Sequence, residues 1–225
     1  MMVCLGIDTS TFAIGLGIVR DNQTIYDGYC NTGVPSSDRI HTLIHTALKE
    51  SGLSLNDVNL FACSIGPGSF TGLRVGIATV EGLSFSLSRP VYGIPTLDAL
   101  VSGFLNLCEQ VVPMIDAKGG DVYTAVYRGG KQVVPVGAVE PYGFINMIEG
   151  DALFLGDAVE VYRDVILQKF GGRARFLSPN VDSPRGSDVA HLGVLSYREG
   201  KAPDKAIEPI YIHPPRIRKK FKDES

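Results

Sequence analysis

The chain has 225 residues, 44% hydrophobic and 20% charged, a globular composition long enough for one large domain or two small ones with ordinary cores. It contains no apolar run of the roughly 18 residues needed to span a membrane, and the opening MMVCLGIDTS lacks the basic stretch and cleavage site of a signal peptide. The net charge of −3 is uneven: RIRKKFK at 216–222 carries five cations, so the body is more acidic than the total and is not by itself a surface for nucleic acid.

In chain order, Val3–Asp8 reads as a fully apolar strand, Phe12–Arg20 as a second and Gln23–Cys30 as a third. Turns at Asp8–Thr11 and Asp21–Asn22 join them into a β-meander. Ser36–Ser51 reads as a helix capped by Ser36 or Ser37, with Ile40, Leu43, Ile44, Ala47 and Leu48 on one stripe and Gly52 as its stop. Asn59–Ile65 is a buried strand that leads through GPGSFTG at 66–72 into a long helix, about Phe70–Ser88. That helix has three weakly polar stripes: Leu73, Ile77, Val80 and Leu87; Gly72, Gly76, Thr79 and Leu83; Val75, Ala78, Gly82 and Phe85. A helix between a sheet and water needs one apolar stripe, so this one should be covered on more than one side, by the sheet and by a second helix, a partner or both. Val91–Ile94 is a further strand, and Thr96–Leu107 reads as helical.

The pattern then restarts. Val111–Asp116 ends in Asp as Val3–Asp8 does, and a glycine turn leads to strands Val122–Arg128 and Lys131–Val139. Leu153–Leu155 is a short strand, Ala158–Phe170 and Ser187–Glu199 read as helices separated by a loop over Arg173–Gly186, and Glu208–His213 is a late strand or extended segment. Two meanders, each followed by helices and strands, predict an α/β fold with mixed sheets and an internal duplication, the link falling near Leu105–Gln110.

Few groupings carry chemistry. Asp8 and Asp116 end equivalent strands, and Asp8 adjoins Thr9, Ser10 and Thr11. Two such loops facing across a cleft could hold a Mg²⁺–phosphate, or each Asp could simply accept hydrogen bonds from its own turn. The loop 66–72 opens a helix, where free amides favour an anion; equally, it is a strand–helix turn capped by Ser69, and it lacks the GK[ST] ending of a P-loop. His41 and His45 share a helix face, but no third ligand follows in sequence, and an exposed polar face is the simpler reading. Cys4, Cys30, Cys63 and Cys108 are scattered without a CxxC pair, which reads as thiols in a reducing, cytoplasmic compartment, without disulfides or structural zinc. No GxSxG nucleophile motif is present.

The set LGIDTS (5–10), SIGPGSFTGLRVGIATVEGLSF (64–85), VYGIPTLDAL (91–100), IDAKGGDVY (115–123) and EPIYIHPP (208–215) resembles the TsaB (YeaZ) family, strongly in the N-terminal half and more loosely beyond it. His213 stands where the family pattern has arginine. The resemblance implies the ASKHA (actin-like ATPase, ribonuclease H-like) fold in two lobes with mixed β-sheets flanked by helices. The first lobe would be 1–104, completed by 187–213; the second, reduced lobe would be 105–186, followed by a basic tail at 214–225. It also implies a non-catalytic scaffold that binds the paralogue TsaD and recruits the small ATPase TsaE. In that complex a threonylcarbamoyl group is transferred to adenosine 37 of tRNAs reading ANN codons.

The catalytic paralogue's HxxxH metal motif falls on Thr96 and Leu100 here, neither of which serves as its ligand. With a single glycine, Gly156, in place of a richer adenosine loop, a complete nucleotide cleft is not expected. The expectations are no cofactor on the chain alone, with ATP/ADP and metal only in complex, and a vestigial phosphate site of Asp8, Thr9, Ser10, Ser69 and Asp116. The expected partner-facing set is Ile40, His41, Ile44, Leu48, Gly72, Val75, Gly76, Thr79 and Leu83, with a homodimer when the chain is alone. Arg216, Arg218, Lys219, Lys220 and Lys222 are candidates for tRNA contact. The alternative is an enzyme acting alone, a nucleotide-binding ATPase or a metallopeptidase.

Overall fold

The computed structural model describes residues 1–31, 38–177 and 181–212, and within them two five-stranded mixed sheets follow one plan. In the first sheet β1 (Val3–Asp8) is antiparallel to β2 (Ile14–Arg20), and β2 to β3 (Gln23–Cys30). On its other side β1 runs parallel to β4 (Leu60–Gly66), and β4 to β5 (Val91–Pro95). The second sheet repeats this with β6 (Gln110–Lys118), β7 (Asp121–Arg128), β8 (Lys131–Val139), β9 (Ala152–Leu155) and β10 (Ala174–Phe176). The orders β3-β2-β1-β4-β5 and β8-β7-β6-β9-β10 are the same topology. The two apolar runs ending in Asp8 and Asp116 are thus structurally equivalent central strands.

Both faces of the first sheet are covered, which is why β1 is buried throughout and shows no polar alternation. On one face Leu5, Ile7, Leu16 and Ile18 meet α1 (Ile40–Glu50) and α2 (Phe70–Leu87). On the other, Cys4, Val19, Leu60 and Ala62 meet α6 (Gly186–Arg198), so the last helix packs on the first sheet. The exchange is mutual. α3 (Thr96–Val101) lends Leu97, Leu100 and Val101 to a cluster with Val111, Ile115, Tyr123 and Leu153 of the second sheet. The Tyr127 hydroxyl also donates to Asp98 on α3 at 2.5 Å. α4 (Pro141–Met147) and α5 (Val159–Phe170) cover the outer face of the second sheet through Ile145, Ile166 and Phe170.

Several element limits differ from the sequence reading. α1 starts at Ile40; Arg39 precedes it without a side-chain cap, and Ser36 and Ser37 lie outside the described residues. α3 stops at Val101, where the chain passes into turns. The expected loop after α5 contains β10, a three-residue strand too short to show periodicity, and α4 begins at a proline whose N-cap, Glu140, accepts from the amides of Tyr142 and Gly143. Residues 208–212 are not a strand; there the Ile210 amide makes a hydrogen bond to the Ile65 carbonyl at 2.7 Å. The four cysteines are unpaired, with Cys4 and Cys63 in the core, where burial pushes both thiols up.

The seat of α6 depends on missing side chains. A Cβ on Gly17 would stand 2.0 Å from the Ser187 nitrogen, and one on Gly186 would stand 2.2 Å from the Gly17 nitrogen, so backbone lies on backbone. Gly17→Ala is therefore expected to cost about 2–3 kcal/mol in urea unfolding. Gly82→Ala, on the open side of α2 with nothing near its Cβ, is expected to add about 0.5–1 kcal/mol. Equal effects of the two would refute this packing.

Candidate functional site

Asp8, Thr9 and Ser10 follow from β1 into a turn that is closed from above by the loop leading into α2. The Ser69 amide donates to the Ser10 carbonyl at 2.6 Å, and a Cβ on Gly68 would sit 2.3 Å from that oxygen. Thr9 Oγ1 donates to the Gly72 carbonyl at 2.8 Å, and Gly76 admits the same hydroxyl where a Cβ would be 2.3 Å from it. Ser69 caps α2 by accepting from the Gly72 amide at 3.3 Å. The Gly66–Pro67 peptide is cis, and the Gly66 amide donates to Thr96 Oγ1 at 3.1 Å. Hydroxyls and amides of this loop thus serve one another.

Asp8 itself is 0% exposed. Burial lifts its carboxyl to about 6, against the opposing effect of the Ser64 and Ser10 hydroxyls. Oδ1 accepts from Ser10 Oγ at 2.7 Å, whereas Oδ2 and Ser64 Oγ have no hydrogen-bond partner within geometry among the described residues. Across the cleft the Asp116 amide donates to Asp157 Oδ1 at 2.8 Å, and the Asp116 carboxylate is taken up by the Lys118 amide and ammonium. Burial pushes the Asp157 carboxyl up, and the Asp116 charge adds to the rise. Lys118 Nζ stands 4.6 Å from the Phe12 ring centroid, so a cation–π contact links the β6–β7 turn to the β1–β2 turn.

The two expected phosphate-binding turns therefore do face each other. Their residues do not fit a Mg²⁺–phosphate in this arrangement: Asp8 presents no oxygen to the cleft, and Asp116 is neutralised by its own lysine. Thr96 and Leu100 are both core residues, and Thr96 Oγ1 is occupied with the Gly66 amide. His41 and His45 are exposed on α1, and no group of three or more metal-ligating side chains occurs among the described residues.

The second candidate surface is the outer side of α1 and α2. Here the expected set divides. Ile40, Ile44 and Leu48 belong to the core of the first sheet, and Gly72 and Gly76 are pressed onto Thr9, so these five are corrected from partner-facing to internal. The reason is that the spacing that marks an apolar stripe does not say which stripe the chain covers itself. His41 is exposed, and Val75, Thr79 and Leu83 are half-buried. The open stripe of α2 is Ala78, Gly82 and Phe85, with Phe85 89% exposed, while Val75 packs partly against the core. Ala78, Gly82 and Phe85 were legible as the third stripe, yet spacing alone did not single them out.

One flank of α2 is covered by the segment after α6. The Ile207 amide donates to Glu81 at 2.7 Å, and Arg74 lies 3.9 Å over the Phe70 ring while donating to the Tyr211 hydroxyl at 3.0 Å. Arg216, Arg218, Lys219, Lys220 and Lys222 lie outside the described residues.

The Asp8 environment has a pH signature. Its folded pKa is above the unfolded value, so the folded state holds the proton more tightly and stability should fall as pH rises from about 4 through about 6. Burial also lifts the Asp188 carboxyl to about 6, so Asp8→Asn is expected to reduce the slope across that interval without abolishing it, and to stabilise the protein by about 2–3 kcal/mol at pH 7.5. Urea titrations of wild type and variant at pH 4.5 and 7.5 decide it; a slope left unchanged by Asp8→Asn contradicts the assignment.

No helix among the described residues is long and apolar enough to cross a membrane. The family model for TsaD, tRNA N6-adenosine threonylcarbamoyltransferase, matches residues 35–215. The tRNA threonylcarbamoyladenosine biosynthesis protein TsaB of Escherichia coli is 36% identical over 223 residues, covering 94% of each chain. Among solved structures, YeaZ from Pseudomonas aeruginosa superposes with a TM-score of 0.78 at 24% identity, covering 94% of this chain and 100% of that one. A ROK hexokinase from Thermus thermophilus shares the fold at a TM-score of 0.51 and 13% identity, covering 89% of this chain and 100% of its own. With duplicated mixed sheets of the actin-like ATPase type and this similarity along nearly its whole length, the chain belongs to the TsaB (YeaZ) family.

Proposed function

We propose that this chain is a non-catalytic scaffold of tRNA threonylcarbamoyladenosine synthesis, which binds TsaD and recruits TsaE for transfer to adenosine 37 of tRNAs reading ANN codons. The observation that carries the reading is the open face of α2, where Phe85 is 89% exposed beside Ala78 and Gly82. A helix face of small residues with one projecting aromatic suits close approach by other helices, and covering a phenylalanine contributes roughly 2–3 kcal/mol. The match to the TsaD model supports a partner with an equivalent helix pair, so that the two chains meet as two copies of one chain would. The same face accounts for a homodimer when the chain is alone. The basic tail is assigned a minor, salt-dependent contact with tRNA.

The competing reading is an enzyme acting alone. It requires the carboxylates of both turns at the cleft, whereas Asp8 is sealed and presents no oxygen there. On the scaffold reading ATP, ADP or metal engages the assembly and not the isolated chain.

Ala78→Arg and Phe85→Asp, both on exposed positions, are expected to weaken association with TsaD at least about tenfold and to give monomers in sedimentation, with melting temperature unchanged. Unaltered binding by both variants overturns the interface. Calorimetry with Mg-ATP on the isolated chain should show no saturable heat; tight binding with turnover that Asp8→Asn abolishes would restore the enzyme.

A further inference from the structure

The first sheet has a cover that the second lacks. Because the sheets share one topology, α1 after β3 and α4 after β8 are equivalent elements. α1 has 11 residues and buries Ile40, Ile44, Ala47 and Leu48 against β2 and β3, drawing Ile25 and Tyr26 of β3 toward the core. α4 has 7 residues, buries Pro141 and Ile145, and leans on α5. The shortfall of four residues is about one helical turn.

What α4 leaves open is a groove of about 740 Å³ along β8, walled by Val126, Val133, Val134, Val139, Phe144 and Met147. Val133 and Val134 are 49% and 40% exposed, and Met147 is 82% exposed at the rim. Arg128 also lines the groove; its Nη2 donates to Gln110 Oε1 at 3.0 Å, and Gln110 is only 3% exposed, so the guanidinium is held by a buried side chain. Arg128 makes no ion pair among the described residues. Of the two glutamates along the groove, Glu140 is committed to the amides of Tyr142 and Gly143, and Glu149 lies toward the Arg128 end, where its carbonyl accepts from Gln110.

We propose that this groove docks an amphipathic helix of a partner protein, one with an aliphatic stripe at i, i+3, i+4 and i+7 and a carboxylate placed to meet Arg128. The form of the occupant follows from the internal repeat: the first sheet fills the corresponding place with α1, whose buried residues have i, i+4, i+7 and i+8 spacing. Its charge follows from the held, unpaired guanidinium, which is the kind of group that selects and orients an acidic helix. The groove lies on the outer face of the second sheet, so it does not depend on the α2 face assigned to TsaD.

The test is selection with the full-length protein from two displayed libraries, one of single helices randomised on their surface and one of extended peptides. Enrichment is expected from the helical library, with the aliphatic stripe and an acidic residue recurring. Binding of the enriched helices should weaken at least about tenfold in Arg128→Glu and in Met147→Asp, both exposed side chains, with melting temperature and TsaD association unchanged. No enrichment, enrichment only of extended peptides, helices indifferent to both substitutions, or saturable binding of dodecanoate in the groove without helix enrichment would each overturn the proposal.

Discussion

Thr9 under α2 is the contact on which the arrangement turns. Its hydroxyl reaches the Gly72 carbonyl at 2.8 Å only because Gly72 and Gly76 present no side chain. The helix is thereby clamped to the β1–β2 turn, with Ile77 and Val80 in the core of the first sheet. Once one edge of α2 is fixed in this way, the rotation of the helix is decided. Its third stripe has nowhere to face except outward. An apolar outer face is thus a geometric consequence of two glycines on the inner one.

The same clamp draws the cleft between the two turns in upon the chain itself. Loop 66–72 is pulled down onto Ser10, and Asp8 ends beneath it in an environment that favours the neutral carboxyl. On the facing turn, Lys118 both neutralises Asp116 and reaches Phe12. The interactions that an ATPase of this fold would direct at a ligand are here directed at the chain.

Duplication provides a second kind of information. Each sheet shows what the other has kept or shed: α1 against the shorter α4, and two terminal helices exchanged so that α3 serves the second sheet and α6 the first. The exchange ties the two sheets together through cores, not only through the link between them. On the outer face of the second sheet a groove stays open along β8.

Most strands, the repeat and the burial of β1 were legible in the residues. Apolar runs bounded by turn residues impose pairing whatever surrounds them, and the opening run of each repeat ends in an Asp. Family membership was legible for a related reason, since GPGSFTG is a run that close backbone approach constrains residue by residue. Short elements were not legible: three residues of β10 and seven of α4 carry too few periods to register. Nor could one-dimensional spacing say which of three stripes on α2 faces water, or that Ile40, Ile44, Leu48, Gly72 and Gly76 are internal. Spacing records that a face is apolar; only the position of Thr9, brought from another strand, determines which face the chain covers and which it leaves exposed.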